Sequence, residues 1–367
     1  MPRRHDRSST LLAPASDAAD LVLTGPLAPY DALREDTLSD VLRAVRLTSA
    51  LFFITDAGPL WLAQVPSART LARVVHPGSH HLISFHVLRR GSCWCEMPGQ
   101  PPTRLEAGDI LAIPHGDPYT LASSPGLPTY HEDAALKWFR QMAAGELPFV
   151  VVEGGAGGER IHVLCGFLAC DIQPFNPLLT GLPRMLVMHP LDGSESDRLR
   201  QLVEVAMAEA HERRAGRDCV LLRLAELMFI EVVRQHLAQL PAEHTGWLAG
   251  LHDAIVGRAL DLLHRRPAND WTVESLARAA GLSRSALSER FTHFVGHPPM
   301  QYLTRWRMQL AATLLSDGAT KVSAVGLEVG YDSEAAFSRA FKKVTGVSPS
   351  VWRAGGSNRQ PRFFRDR

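Results

Sequence analysis

Cysteine and histidine gather in the first half of this chain, at spacings that could serve thiol or metal chemistry. Cys93 and Cys95 flank Trp94, so in a strand both thiols point to one face. Residues two apart in a strand stand about 6.5–7 Å apart with parallel side chains, which disfavours a disulfide between them. Each could meet a cysteine elsewhere, or both could ligate a soft metal. Cys165 and Cys170 are five apart and fall on opposite faces of a straight strand. A metal, if one is bound, would draw on His81, His86, Cys93, Cys95 and His115, with His80 next in sequence; the cofactor is left open. The thiolate is the form that oxidises. Arg89 and Arg90 are expected to acidify the nearby pair, which makes Cys93, Cys95, Cys165 and Cys170 candidate redox sites. The plainer alternative is that they are buried small apolar side chains. Cys219, in a helical stretch, is assigned to packing or dimerisation.

A second set of residues, near the end of the chain, suits a polyanion. From Ile255 onward there are 17 basic against 9 acidic residues, while the rest has 22 against 29. An acidic body with a basic end piece points to nucleic acid as a partner of that piece. Within it, Thr272 can cap a helix whose inward positions are Val273, Leu276 and Ala280; Gly281 ends it and Ser283 opens the next, packed through Leu287 and Phe291. This is a helix-turn-helix, whose second helix enters the major groove. About fifty residues later the pattern returns. Val322, Val325 and Val329 form the stripe, Gly330 the turn, Asp332 or Ser333 the cap, and Phe337 and Phe341 the second helix. Outward positions on the two recognition helices are Arg284, Ser285, Ser288, Glu289 and Ser333, Glu334, Ser338, Arg339, with Lys342 and Lys343 placed for phosphates. Arg305 and Arg307 are weaker candidates on the connecting helix, Pro299–Leu315, which spans roughly 25 Å and could hold both units on one DNA face.

Other elements must hold these groups in place. Between Ala50 and Leu121, short apolar runs cut by Gly, Pro and Asp read as an all-β sandwich or barrel. The run Pro148–Glu153, a Gly-rich turn and Arg160–Leu168 read as a closing hairpin. Asp36–Thr48 reads as a short helix, and Ser194–Arg213 with Asp218–Leu240 as an antiparallel helix pair. The second of that pair is apolar over more than one face, which leaves open a homodimer contact or packing on the β domain. Pro241–Gly250 reads as a linker. No apolar run reaches the roughly 18 residues of a membrane helix, and five cysteines, an odd number, fit a reducing compartment, so a cytoplasmic chain with no membrane partner is expected.

The segment from Gly330 through Tyr331, Asp332, Phe337, Arg339, Phe341, Gly346 and Pro349, with Trp352 and Arg353 after it, closely resembles the signature of AraC/XylS-type regulators. The resemblance spans roughly Ile255–Arg353. Gly326 departs from it, since the family usually has alanine there, and a mid-helix glycine costs ~1 kcal/mol and is expected to loosen the second unit. Upstream, His86–Cys95 and Leu105–His115, with Leu164-Cys165-Gly166, Asp171 and Asn176–Pro183, resemble the cupin-type barrel of one branch of that family. What this implies is an α+β chain of two domains: a cupin-like β-barrel with a following helix pair, then an all-α domain of two helix-turn-helix units joined by a long helix. The corresponding segments are 1–35 as an arm, 36–190, 191–240, a linker over 241–252, 253–355, and a basic tail over 356–367. The resemblance further implies a transcription regulator, not an enzyme, that binds a double-stranded operator, meets RNA polymerase if it activates, and answers to a small-molecule effector or an oxidant. A subgroup of the branch senses reactive chlorine through cysteine oxidation. The rival reading is a cupin-type metalloenzyme fused to a DNA-binding domain. Metal-binding cupins pair their histidines, whereas Val87 and Leu88 follow His86 here and Tyr119 stands where a further histidine would be, so an iron site of that type is not expected.

Overall fold

A computed structural model of the chain describes residues 36–355, apart from 45–46, 78, 80, 156–157, 171–173, 190–193, 213, 242 and 319. The arm over 1–35, the tail over 356–367, His80 and Asp171 lie outside the described residues. The elements run α1 (Thr37–Ala44), β1 (Leu47–Ala57), β2 (Leu62–Val65), α2 (Ala68–Val75), β3 (His81–Arg90), β4 (Ser92–Glu96), β5 (Thr103–Glu106), β6 (Ile110–Ile113), β7 (Tyr119–Ala122) and α3 (Glu132–Ala143). There follow β8 (Val150–Glu153), β9 (Ile161–Cys170), α4 (Pro177–Gly181), β10 (Leu186–Met188), α5 (Ser194–Glu212), α6 (Arg217–Gln239), α7 (Trp247–His252) and α8 (Ala254–Arg265). The chain closes with α9 (Val273–Ala280), α10 (Arg284–Val295), α11 (Pro299–Ser316), α12 (Val322–Glu328), α13 (Glu334–Thr345) and α14 (Pro349–Gly355).

The strands form a six-stranded sheet, β10-β6-β3-β9-β1-β8, facing a four-stranded one, β2-β7-β4-β5. Alternation along β3 and β9 explains why both read as unbroken apolar runs. Leu82 and Leu88, with Val163, Cys165 and Phe167, point between the sheets. Ile83, Phe85 and Val87, with Leu164, Leu168 and Cys170, point outward into a second core. That outer face is covered by α5 and α6 through Leu199, Val203, Leu224, Met228 and Val232. The helix pair is therefore packed on the β domain over much of its length.

Two expectations are corrected. The proposed hairpin over 148–168 does not form: β8 pairs parallel with β1 and β9 pairs antiparallel with it, so β1 lies between them. β1 is eleven residues long and is paired along both edges, and the turn after β8 crosses it, tied down by Arg160 on Asp56 (2.7 Å). The linker is shorter than expected, because α7 begins at Trp247, and Trp247 and Leu248 are buried at 4% and 2% exposure. The short strand β10 pairs with β6.

The outer core does not stop at the β domain. It continues through Trp247, Val256, Leu260, Leu276, Leu287, Phe291, Tyr302 and Trp306, so the first helix-turn-helix shares a core with the sheet. The second unit has a core of its own, built from Met308, Ala311, Ala312, Leu315, Val325, Val329, Phe337 and Phe341.

Candidate nucleic-acid interface and barrel pocket

In the first unit a capping box starts α9: the Ser275 N–H donates to Thr272 Oγ1 (3.0 Å) and the Thr272 N–H to Ser275 Oγ (2.9 Å). Ser283 caps α10 and Ser333, rather than Asp332, caps α13, each accepting from the third residue on at 3.3 Å. Gly281 (φ 82°) and Gly330 (φ 86°) make the left-handed turns; at Gly330 a Cβ would also fall 2.7 Å from Ala268. Gly326, the departure from the family pattern, is explained by packing. A Cβ there would stand 3.1 Å from the Cβ of Phe337, so the glycine lets α12 sit close on α13.

Burial sorts the candidate contacts. Leu287 and Phe291 of α10, and Phe337 and Phe341 of α13, are at 0% exposure and fix the inward faces. Arg284, Ser285 and Glu289, and Ser333, Glu334, Arg339, Lys342 and Lys343, are exposed. Ser288 and Ser338 each follow a buried residue and are half-buried beside the packing stripe. The outward stripes are Ser285, Glu289, Thr292 and Ala335, Arg339, Lys342. Thr292 and Ala335 were missed, although i, i+4, i+7 spacing from Ser285 and Lys342 identifies them.

Arg307 and Arg305 are not free to meet phosphate. Arg307 donates to the carbonyls of Pro267 (2.7 Å), Asn269 (2.8 Å) and Gly330 (3.2 Å) and lies 5.7 Å from the Tyr331 ring. It ties the turn of the second unit to the loop that leads into the first. Arg305 meets His297 Nε2 (2.7 Å) and stands 5.7 Å over Phe175.

Arg284 pairs with Glu274 across the first unit at 2.8 Å, both partners exposed. An exposed pair of this kind is worth little, but DNA must displace it. Arg339→Ala is therefore expected to weaken operator binding by about 1–3 kcal/mol and Arg284→Ala by the lower part of that range. Equal affinities for wild type and Arg339→Ala in a gel-shift titration would mean that α13 does not read DNA with this face.

Between the sheets lies a pocket enclosing about 480 Å³, the open solvent at its mouth included. Six aromatic rings line it: Phe53, Trp61, Tyr130, Trp138, Phe139 and Phe167. Phe53 meets Trp138 edge-on at 5.2 Å, and Phe139 meets Phe167 at 5.4 Å. Its polar groups include Thr55, Gln64, His86, the Tyr130 hydroxyl, Glu153 and Cys165. Gln64 Oε1 and His86 Nδ1 are buried without a hydrogen-bond partner. The other ring nitrogen of His86 meets the Tyr119 hydroxyl, and burial lowers the His86 pKa to about 3. Burial also raises the pKa of Glu153, against the indole N–H groups of Trp61 (2.8 Å) and Trp138 that hydrogen-bond its carboxylate.

The metal set is not brought together. His81 Nε2 is bonded to the Pro114 carbonyl (2.6 Å), His115 Nε2 to that of Leu182 (2.9 Å), and His86 to Tyr119. Among the described residues no three His, Cys, Asp or Glu side chains are grouped to hold a metal ion.

Cys93, Cys95 and Cys165 do share the inner core, while Cys170 faces the outer one, as its spacing from Cys165 requires. The expected acidification is overturned. Burial, with Asp109 adding, pushes the Cys93 thiol up to about 12; burial, with Cys93 and Glu96 adding, does the same for Cys95, and burial also raises Cys165. Arg89 sits at the end of β3 with its guanidinium on Glu204 (2.6 Å), and Arg90 is exposed, so neither reaches the inward thiols. Cys219 alone among the five is exposed. A maleimide at neutral pH is thus expected to label Cys219 first and the other four at least about a hundredfold more slowly, since they react only through local opening. Peptide mapping that found Cys93 or Cys95 labelled as fast as Cys219 would contradict the buried placement.

A family model described as Cupin matches residues 36–238, more than half of the chain, and one described as a Helix-turn-helix domain matches 276–355. An AraC-like transcription regulator of Streptomyces lividans is 33% identical over 87% of this chain and 98% of its own length. The chain is an AraC-type transcription regulator. The RCS-specific HTH-type transcriptional activator RclR of Escherichia coli is 26% identical over 75% of this chain and 86% of its own. The solved structure of ToxT from Vibrio cholerae O395 aligns over 85% of this chain and 99% of that one, at 11% identity and a TM-score of 0.31. No helix among the described residues of this AraC-type regulator is long and apolar enough to cross a membrane.

Its two domains meet at a buried polar hub. The Tyr302 hydroxyl takes a hydrogen bond from Trp247 Nε1 (2.8 Å) and bonds His264 Nε2 (2.8 Å). From the cupin side, the Phe175 ring packs edge-on at 5.5 Å from Tyr302, and the Phe175 N–H donates to Gln309 Oε1 (2.9 Å) on α11. Gln309 is 3% exposed. The long connecting helix of the DNA-binding domain is thereby bonded to the segment that follows β9, a pocket-lining strand.

Proposed function

We propose that a small organic molecule in the barrel pocket sets the affinity of this regulator for a double-stranded operator, with α10 and α13 in successive major grooves. The observation that carries the reading is the pocket itself, apolar in its walls and holding two buried polar atoms, on Gln64 and His86, that lack partners. Sites for small ligands have this make-up. The signal would pass from β9 through Phe175 to Gln309 and Tyr302, and so to the connecting helix. Such couplings are typically worth about 1–3 kcal/mol. The regulator acts in the cytoplasm, and if it activates it does so through contact with RNA polymerase.

Oxidation is the second reading. It is favoured by Cys93, Cys95 and Cys165 sharing one core and weakened by their burial and raised pKa. For the enzyme reading, no metal-holding group of three His, Cys, Asp or Glu side chains is gathered among the described residues. A second copy of the chain is the occupant we assign to α6, which leaves Val220 (41%) and Leu227 (48%) exposed two turns apart on one face; sedimentation at the mass of one chain would remove that part.

The test is an operator selected from random duplexes by the purified full chain. Small molecules that stabilise the protein against heat are then added to the binding titration. A shift in operator affinity of about fivefold or more is expected. Pocket ligands that leave affinity unchanged, together with a large response to hypochlorite, would replace this reading with the thiol one.

A further inference from the structure

We infer that the barrel pocket takes a lipophilic organic cation that carries an N–H, of the aryl- or alkylammonium class. The inference rests on the reading of this pocket as the effector site and adds the chemistry of its occupant. Six of the fifteen lining residues are aromatic, in a chain that is 7% aromatic, so rings are concentrated there. Ring faces carry negative potential and attract cations.

Two of the polar groups point the same way, because the Glu153 carboxylate and the Gln64 amide oxygen are acceptors. Glu153 lies in the pocket wall with indole N–H groups from Trp61 and Trp138 on its carboxylate. Burial raises its pKa and those two donors oppose the rise, and no lysine or arginine is among the lining residues. Gln64 Oε1 is a buried acceptor with no donor. Its backbone N–H is already spent on the Tyr130 hydroxyl oxygen (3.1 Å). His86 is held neutral by its burial and supplies no positive charge.

A ligand carboxylate would meet Glu153 with like charge. A neutral, purely apolar ligand would leave Gln64 Oε1 buried and unpaired and give the Glu153 carboxyl no counter-charge, which is costly. An ammonium group satisfies both while its apolar body lies among Phe53, Phe139 and Phe167. The pocket thus resolves three headgroup charges by sign.

Three probes of one shape and different charge test this: phenylbutylamine, phenylbutanol and phenylbutyrate, titrated into the full chain by calorimetry and by tryptophan fluorescence. The amine should bind roughly tenfold or more tightly than the alcohol, and the carboxylate weakest. Glu153→Gln, which keeps an oxygen for the indole donors, should bring the amine down to the level of the alcohol and leave the alcohol unchanged. The wild-type ranking stands as a test even if that variant unfolds. If alcohol and amine bind alike to wild type, or Glu153→Gln leaves their ratio intact, the cation class is wrong and the pocket reading survives. If none of the probes binds at millimolar concentration, or if Ala63→Trp in the pocket wall leaves their binding unaltered, the pocket is not the site and both readings fall.

Discussion

Replacing Phe337 by alanine should melt the second helix-turn-helix unit and leave the first one folded. Phe337 is at 0% exposure, 5.6 Å from Phe341 and 5.8 Å from Tyr331, with Gly326 against its Cβ. Cutting a buried phenylalanine to alanine costs about 3–5 kcal/mol. A whole domain commands only about 5–15 kcal/mol, and this core is a small satellite of buried residues separate from the one that holds the first unit. The loss therefore falls on one unit. Amide exchange should accelerate across α12 and α13 and stay slow in α9 and α10. The operator footprint should shrink to one major groove, and the salt dependence of binding should flatten by roughly two to three units as Arg339, Lys342 and Lys343 lose their places. A full-length footprint with one lowered unfolding transition for the whole chain would show that the two units share their stability after all.

Mild acid should cost this protein about as much. His86 and His264 are buried, and burial holds each pKa at about 3, against 6.5 for an unhindered imidazole. At 4.0 Å from His264 Nδ1, the Asp40 carboxylate is beyond hydrogen-bond distance and does not offset that burial. The folded pKa lies below the unfolded one, so the unfolded chain binds more protons throughout the interval between them. The stability these groups contribute is whole above pH 6.5 and drains away as pH falls toward 3. At pH 5 each has lost about 2 kcal/mol, roughly 4 kcal/mol for the pair. Denaturant titrations between pH 7 and pH 4.5 should give a slope of at least two protons taken up on unfolding, and His264→Gln or His86→Gln should each remove about one. A flat profile would mean that one of the imidazoles is charged or wet in the native state.

The DNA-binding half was readable in the sequence because its signals are local. Caps at Thr272 and Ser283, turns at Gly281 and Gly330, and stripes ending in Phe291 and Phe341 fall within a few residues of what they control, and the motif occurs twice. The β-type runs of the first half, and the shared face of Cys93 and Cys95, followed from the two-residue period in the same way. What lay beyond reach was everything set by partners distant in the chain. The place of β1 between β8 and β9 depends on edges a hundred residues apart. Arg307 looks like a phosphate contact until the carbonyls of Pro267, Asn269 and Gly330 are seen around it. Arg89 and Arg90 are near Cys93 along the chain, yet a tight turn sends them to the surface and the thiol inward, so burial decides its pKa and not the neighbouring charge. Glu153 lies in a short run whose pattern is that of half a hairpin and carries no local sign of a site. Only the closing of the two sheets brought Trp61, Gln64 and Trp138 around it, because a pocket is made of side chains that share no local period.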